Sequence, residues 1–117
     1  MGSFLLSLRR PFVADHFHDL PGFQEDRHGH NWEVEACVEL TSEAEEPTLA
    51  TALDAWVAAI DYRLLNELPP LAGRNPTAEV LAENAFLFLQ GATLKPRQVK
   101  VREKANYWAL CRAGDAR

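Results

Sequence analysis

Apolar residues alternate with polar ones over two long stretches of the chain. In the first, the even positions Phe4, Leu6, Leu8, Phe12 and Ala14 are apolar, while Ser7, Arg9 and Asp15 fall on odd ones. A period of two predicts a strand over Phe4–His16 with one buried face. The alternation is cleaner over His28–Leu40: Trp32, Val34, Ala36, Val38 and Leu40 lie on one side, and Glu33, Glu35, Cys37 and Glu39 on the other. This predicts a second, half-buried strand. Pro21, Gly22 and several charges predict a loop over residues 17–27 joining two antiparallel neighbours. After an acidic turn at 43–47, Leu49, Leu53, Trp56, Val57, Ile60 and Leu64 recur at the spacing of an amphipathic helix. Pro69, Pro70 and Gly73 end that regularity. Asn75-Pro76-Thr77 then predicts an N-cap and a first-turn proline for a second helix reaching about Gln90. Gly91 and Pro96 close it, and short alternating runs at 98–103 and 107–112 predict a hairpin.

The order strand, strand, helix, helix, strand, strand predicts one α+β domain over residues 1–117. In it, two helices cover one face of a four-stranded antiparallel sheet. The edge strands carry little to discourage pairing, so association with further copies is expected.

A chain of 117 residues buries roughly 65% of its unfolded surface, enough for one ordinary core. With 47% hydrophobic and 25% charged residues, the composition is that of a soluble globular protein. No apolar run approaches the about 20 residues that span a bilayer, and residues 4–8 are too short for a secretory core segment. A cytoplasmic location without a membrane partner is expected. The net charge of −5 lacks the basic footprint of phosphate-backbone binding, which argues against nucleic acid. Cys37 and Cys111 are widely separated and read as reduced thiols.

Chemistry concentrates in the histidines. His28-Gly29-His30 places two imidazoles at i and i+2, on the same side of a strand, and Gly29 lets backbone approach closely between them. His16 ends the first strand in its apolar phase, and His28 and His30 share the apolar phase of the second. Three inward imidazoles are costly unless something meets their nitrogens, and one metal ion meets all three. Zinc suits three neutral imidazoles and leaves a fourth position for substrate. The ordinary reading of a lone histidine is a satisfied core or surface residue, and His18 takes it. Glu103 follows Val99 and Val101 in the inward phase, so its carboxylate needs a partner or solvent. Asp61, at the end of the first helix, is as ambiguous.

Phe12-Val13-Ala14-Asp15-His16, His28-Gly29-His30, Ile60-Asp61 with Leu65-Asn66, Asn75-Pro76-Thr77-Ala78-Glu79 and Glu103, in this order, resemble the motifs of the 6-pyruvoyl-tetrahydropterin and 6-carboxytetrahydropterin synthases. The resemblance implies a T-fold whose subunits pair edge to edge into trimers, two of which stack into a homohexamer with sites between subunits. It implies zinc on His16, His28 and His30. It also implies a pterin substrate, with the ring gripped by Glu103 and the pocket lined by the Asn-Pro-Thr segment, so Thr77 and Glu79 are substrate-binding candidates.

The chain departs from that family in two places. Gln24 stands where a catalytic cysteine is usual, and Tyr62 stands where Asp61 would be followed by histidine. Glu25, however, begins an E-x-x-H-G-H run, which resembles the variant associated with making 6-hydroxymethyl-7,8-dihydropterin for folate synthesis. The expected activity is therefore zinc-dependent cleavage of the side chain of 7,8-dihydroneopterin or its triphosphate, with Glu25 as base and Tyr62, held by Asp61, as proton donor. The alternatives are 6-carboxytetrahydropterin synthesis toward queuosine, 6-pyruvoyl-tetrahydropterin synthesis, and a non-catalytic zinc- and pterin-binding protein.

Overall fold

The computed structural model describes residues 2–71 and 73–115; the side chains of Asp19, Leu20, Phe23 and Gln24 lie outside the described part. Two thirteen-residue strands dominate the fold, β1 (Phe4–His16) and β4 (His28–Leu40), as the alternation requires. They pair antiparallel without a break, from Phe4 opposite Leu40 to His16 opposite His28. The connection expected to be plain loop contains a two-rung hairpin, β2 (Asp19–Leu20) and β3 (Phe23–Gln24). Between these, Gly22 turns the chain at a φ of 73°, which glycine adopts without steric cost.

Helix α1 (Glu46–Ile60) buries Leu49, Leu53, Trp56 and Ile60 against the sheet. It is entered through a 3-10 turn at Glu43–Glu45 whose Ser42 and Glu45 form a reciprocal capping box. Helix α2 (Ala78–Gly91) buries Val80, Leu81, Ala85, Phe86 and Leu89. Its N-cap is Thr77, which accepts a hydrogen bond from the Val80 N–H at 3.2 Å. Pro76 therefore precedes the cap instead of sitting in the first turn. The chain then returns through β6 (Lys95–Lys104) and β7 (Tyr107–Arg112).

Among the described residues the sheet has five strands rather than the expected four, in the order β5 (Arg63–Leu64), β1, β4, β6 and β7. The extra strand, β5, pairs parallel with β1 at Ala14 and Asp15. Two residues are too few for alternation to register in sequence. Both helices lie on the face presented by Phe12, Ala14, Trp32, Val34, Val99 and Val101, all buried. His16, His28 and Glu103 thus meet at one end of the sheet, beside the start of α2. No helix among the described residues is long and apolar enough to cross a membrane.

Candidate active site and metal centre

At that end of the sheet, strand phase carries three imidazoles to one point. The ring centroids of His16, His28 and His30 lie 4.6, 4.8 and 5.1 Å apart, and one nitrogen from each falls within 4.8 Å of the others. Burial is graded: His16 is 1% exposed, whereas the side chains of His30 and His28 are 20% and 38% exposed. The inward phase therefore holds while the strand ends open to solvent. Trp32 walls the cluster from below, with its ring 5.1 Å from His16 and 5.6 Å from His30.

Second contacts fix the ring orientations. His16 Nδ1–H donates to the Pro76 carbonyl at 2.8 Å, and His28 Nδ1–H donates to the Asp26 carbonyl at 2.9 Å. A carbonyl can only accept, so each ring carries a proton on Nδ1, and in the neutral ring the lone pair then lies on Nε2. The Nε2 atoms of His16 and His30 are buried without a hydrogen-bond partner. Burial holds the His30 ring below its ordinary pKa, and the neighbouring His16, His28 and Lys104 add to this against the opposing pull of Glu103. That favours the neutral form, the one that ligates metal. Orphaned and convergent imidazole nitrogens are the kind of donor set that holds a zinc-type cation.

Two carboxylates flank the cluster. Glu103 sits where the register between β6 and β7 shifts; its oxygens lie 3.5 Å from His16 Nε2 and 3.9 Å from His30 Nε2. Glu25 lies on the other flank. Its Oε1 accepts the His18 backbone N–H at 2.9 Å and is 3.9 Å from His28 Nδ1. Burial raises the Glu25 carboxyl, but the His18 amide and the charges of His18, His28 and His16 outweigh that and hold it below its ordinary value. These groups border a cavity of about 270 Å³, together with Thr77, Lys104 and Tyr107. Glu79 stands at its edge, accepting the Tyr107 hydroxyl at 2.8 Å.

Asp61 and Tyr62 are not among the described residues lining this cavity. Asp61 Oδ1 accepts the Val13 N–H at 2.9 Å. The Tyr62 N–H donates to the Val13 carbonyl, and its side chain is 81% exposed. Tyr62 also has a φ of 60°, an uncommon conformation for a bulky residue. Asn66 pins the other side of His16: its Nδ2 donates to the Phe17 carbonyl at 2.9 Å, and its Oδ1 accepts the Phe17 N–H at 3.0 Å. His18, read from sequence as an ordinary surface or core histidine, lines the cavity. Its only sequence signal is that it follows His16 at i+2.

A five-stranded sheet backed by two helices, with three imidazoles at its end, defines the class of protein. The same fold is found in 6-pyruvoyl tetrahydropterin synthase of Caenorhabditis elegans, at TM-score 0.79 and 14% identity over 96% of each chain. The Plasmodium falciparum enzyme of that name matches at TM-score 0.68 and 14% identity, over 93% of this chain and 96% of that one. Plasmodium vivax structures, at TM-score 0.64 and 14% identity over 95% of this chain and 98% of theirs, carry cysteine or alanine in place of a glutamate described as a catalytic residue. A comparison with curated proteins finds no significant match. The sequence model of the 6-pyruvoyl tetrahydropterin synthase family matches residues 6–114, and the chain belongs to that family.

Proposed function

We propose that this protein is a zinc-dependent lyase that cleaves the side chain of 7,8-dihydroneopterin, or its triphosphate, to 6-hydroxymethyl-7,8-dihydropterin. The position of Glu25 carries this reading: a carboxylate borders the cavity beside His28 and His18, in a chain whose two cysteines, Cys37 and Cys111, lie outside its lining. A glutamate described as catalytic in the Plasmodium vivax enzyme of the same fold supports it.

Glu103 accepts the 2-amino and ring N–H hydrogens of the pterin and so fixes the ring. Zinc held by His16, His28 and His30 would supply Lewis-acid polarisation of the side-chain hydroxyls. Glu25, ionised at neutral pH, takes the proton of the C2′ hydroxyl. As the C1′–C2′ bond breaks, C2′ becomes the aldehyde carbon of the departing two-carbon fragment, and the bond's electron pair passes to C1′ and is delocalised into the ring imine. A proton returns to C1′. Tyr62, exposed and outside the cavity lining of its own chain, serves this step in a neighbouring subunit, with Asp61 anchoring the turn that presents it. This requires a homo-oligomer, and edge pairing of the sheet supplies one.

Zinc-loaded protein incubated with 7,8-dihydroneopterin and with its triphosphate, with products identified by mass, tests the reading. Hydroxymethyl-dihydropterin is expected. Carboxy- or pyruvoyl-tetrahydropterin would assign a sister reaction, and unchanged substrate on zinc-loaded protein would leave a binding protein.

A further inference from the structure

The cavity holds a fourth imidazole that the proposed reaction leaves unused. The His18 ring stands edge-to-face with that of His16 at 5.5 Å between centroids. Its Nδ1 is 3.7 Å from Glu25 Oε2, while its backbone N–H donates to Oε1 of the same carboxylate. That carboxylate stands on the Nδ1 side of the ring, which leaves Nε2 as the atom open to another partner. That Nε2 is buried and without a hydrogen-bond partner, a condition a polar atom carries only where some further group meets it.

Metal ligation does not account for it, because the imidazoles converging within 4.8 Å are His16, His28 and His30, without His18. The layout of the cavity favours another partner. Glu103 lies on the flank of His16 and His30, whereas Glu25 and His18 lie on the flank of His28 and His16. On the pterin reading above, a ring held by Glu103 with its side chain reaching the three imidazoles would bring the C6 substituent to the part of the lining that holds His18 and Glu25.

We propose that His18 is a specificity-determining, substrate-contacting residue whose Nε2 shares a hydrogen bond with a hydroxyl on the C6 side chain. The site thereby selects pterins bearing a hydroxylated side chain over those bearing an alkyl group. The inference rests on the pterin reading above. A site built to bond a substrate hydroxyl discriminates against the analogue lacking it, since its own polar atom is then left unpaired.

The test is calorimetric binding of 7,8-dihydroneopterin and 6-methyl-7,8-dihydropterin to zinc-loaded wild type, His18→Phe and His18→Gln. Wild type is expected to prefer the hydroxylated ligand. His18→Phe is expected to lose about fivefold to tenfold in affinity for it, with little change for the methyl compound. His18→Gln, whose amide can hydrogen-bond a hydroxyl, is expected to recover part of the loss. Equal weakening toward both ligands, or no change toward either, overturns the proposal. So does a tenfold or greater fall in zinc affinity of the variants by chelator competition, which would make His18 a metal ligand. If neither pterin binds zinc-loaded wild type, the pterin reading fails and this inference falls with it. Should His18→Phe not fold, His18→Ala decides by the same comparison.

Discussion

Glu25 and Glu103 bracket the imidazole cluster from opposite flanks, and the proposed chemistry separates their roles. Glu25→Gln is expected to keep zinc content and pterin affinity while lowering turnover roughly 10²–10⁴-fold, the usual worth of a general base. Glu103→Gln is expected to weaken pterin binding about 10-fold to 100-fold, since it removes a charged acceptor. Product-formation kinetics and calorimetry on both variants check this, and a Glu25→Gln protein with wild-type turnover would reduce Glu25 to a partner of His18. Gly29 bears on the cluster through space. A Cβ at Gly29 would lie 2.6 Å from Asp15 Oδ1, and Asp15 is already held by Arg27 Nε at 2.7 Å. Gly29→Ala is expected to cost about 1 kcal/mol, because a short side chain must give way, and to weaken zinc binding by moving the backbone between His28 and His30. Denaturant melts and chelator titration measure the two effects. That close approach was legible in His-Gly-His itself; the atom it meets was not.

The elements around the site show why certain motif residues recur in the order they do. Asp61, Asn66 and Pro76 each hold the backbone or side chain of the segment carrying His16, through Val13, Phe17 and the His16 ring. From sequence Asp61 was a helix-end carboxylate and Asn66 a motif position, because neither strand nor helix periodicity reports a contact with a distant strand. Asn66→Ala is expected to cost about 2 kcal/mol, one for each lost hydrogen bond, and to weaken zinc binding as well. Asn84 provides the matched control. Its Oδ1 accepts the Trp56 indole N–H at 2.8 Å between α1 and α2, away from the cavity. Asn84→Ala leaves a 2% exposed indole unsatisfied and is expected to cost about 1–3 kcal/mol. Urea unfolding of both variants beside zinc titration separates a clamp on the site from a support of the fold; equal zinc affinities would remove the clamp.

At the scale of the whole molecule, the sheet among the described residues ends in open edges. Beyond Ala14 and Asp15 the outer edge of β1 is not paired by β5, and β7 is the other terminal strand. Trp108 and Leu110 on β7 are 50% and 47% exposed, and Leu5 on β1 is 61% exposed. Strand edges flanked by exposed apolar side chains associate. Light scattering is expected to give a multiple of the single-chain mass, a hexamer in the proposed reading, and a lone chain at micromolar concentration would contradict it. If Tyr62 serves a neighbour's cavity, oligomers reassembled from a mixture of Glu25→Gln and Tyr62→Phe chains should regain activity that neither variant has alone. No recovery in proven mixed oligomers would return Tyr62 to a structural role.

Alternation alone determined the two long strands, the inward phase of His16, His28 and His30, and the placement of Glu103 beyond Val99 and Val101, because side-chain direction in a strand follows from local backbone geometry. Tertiary structure decided the rest through contacts between distant segments. Pro76 orients His16 across sixty residues, and Asp61 reaches Val13 across forty-eight. The fifth strand exists because the chain leaving α1 passes beside β1. His18 lies past the end of β1, where phase no longer predicts direction, and only packing shows that it lines the cavity with a buried Nε2 that has no partner.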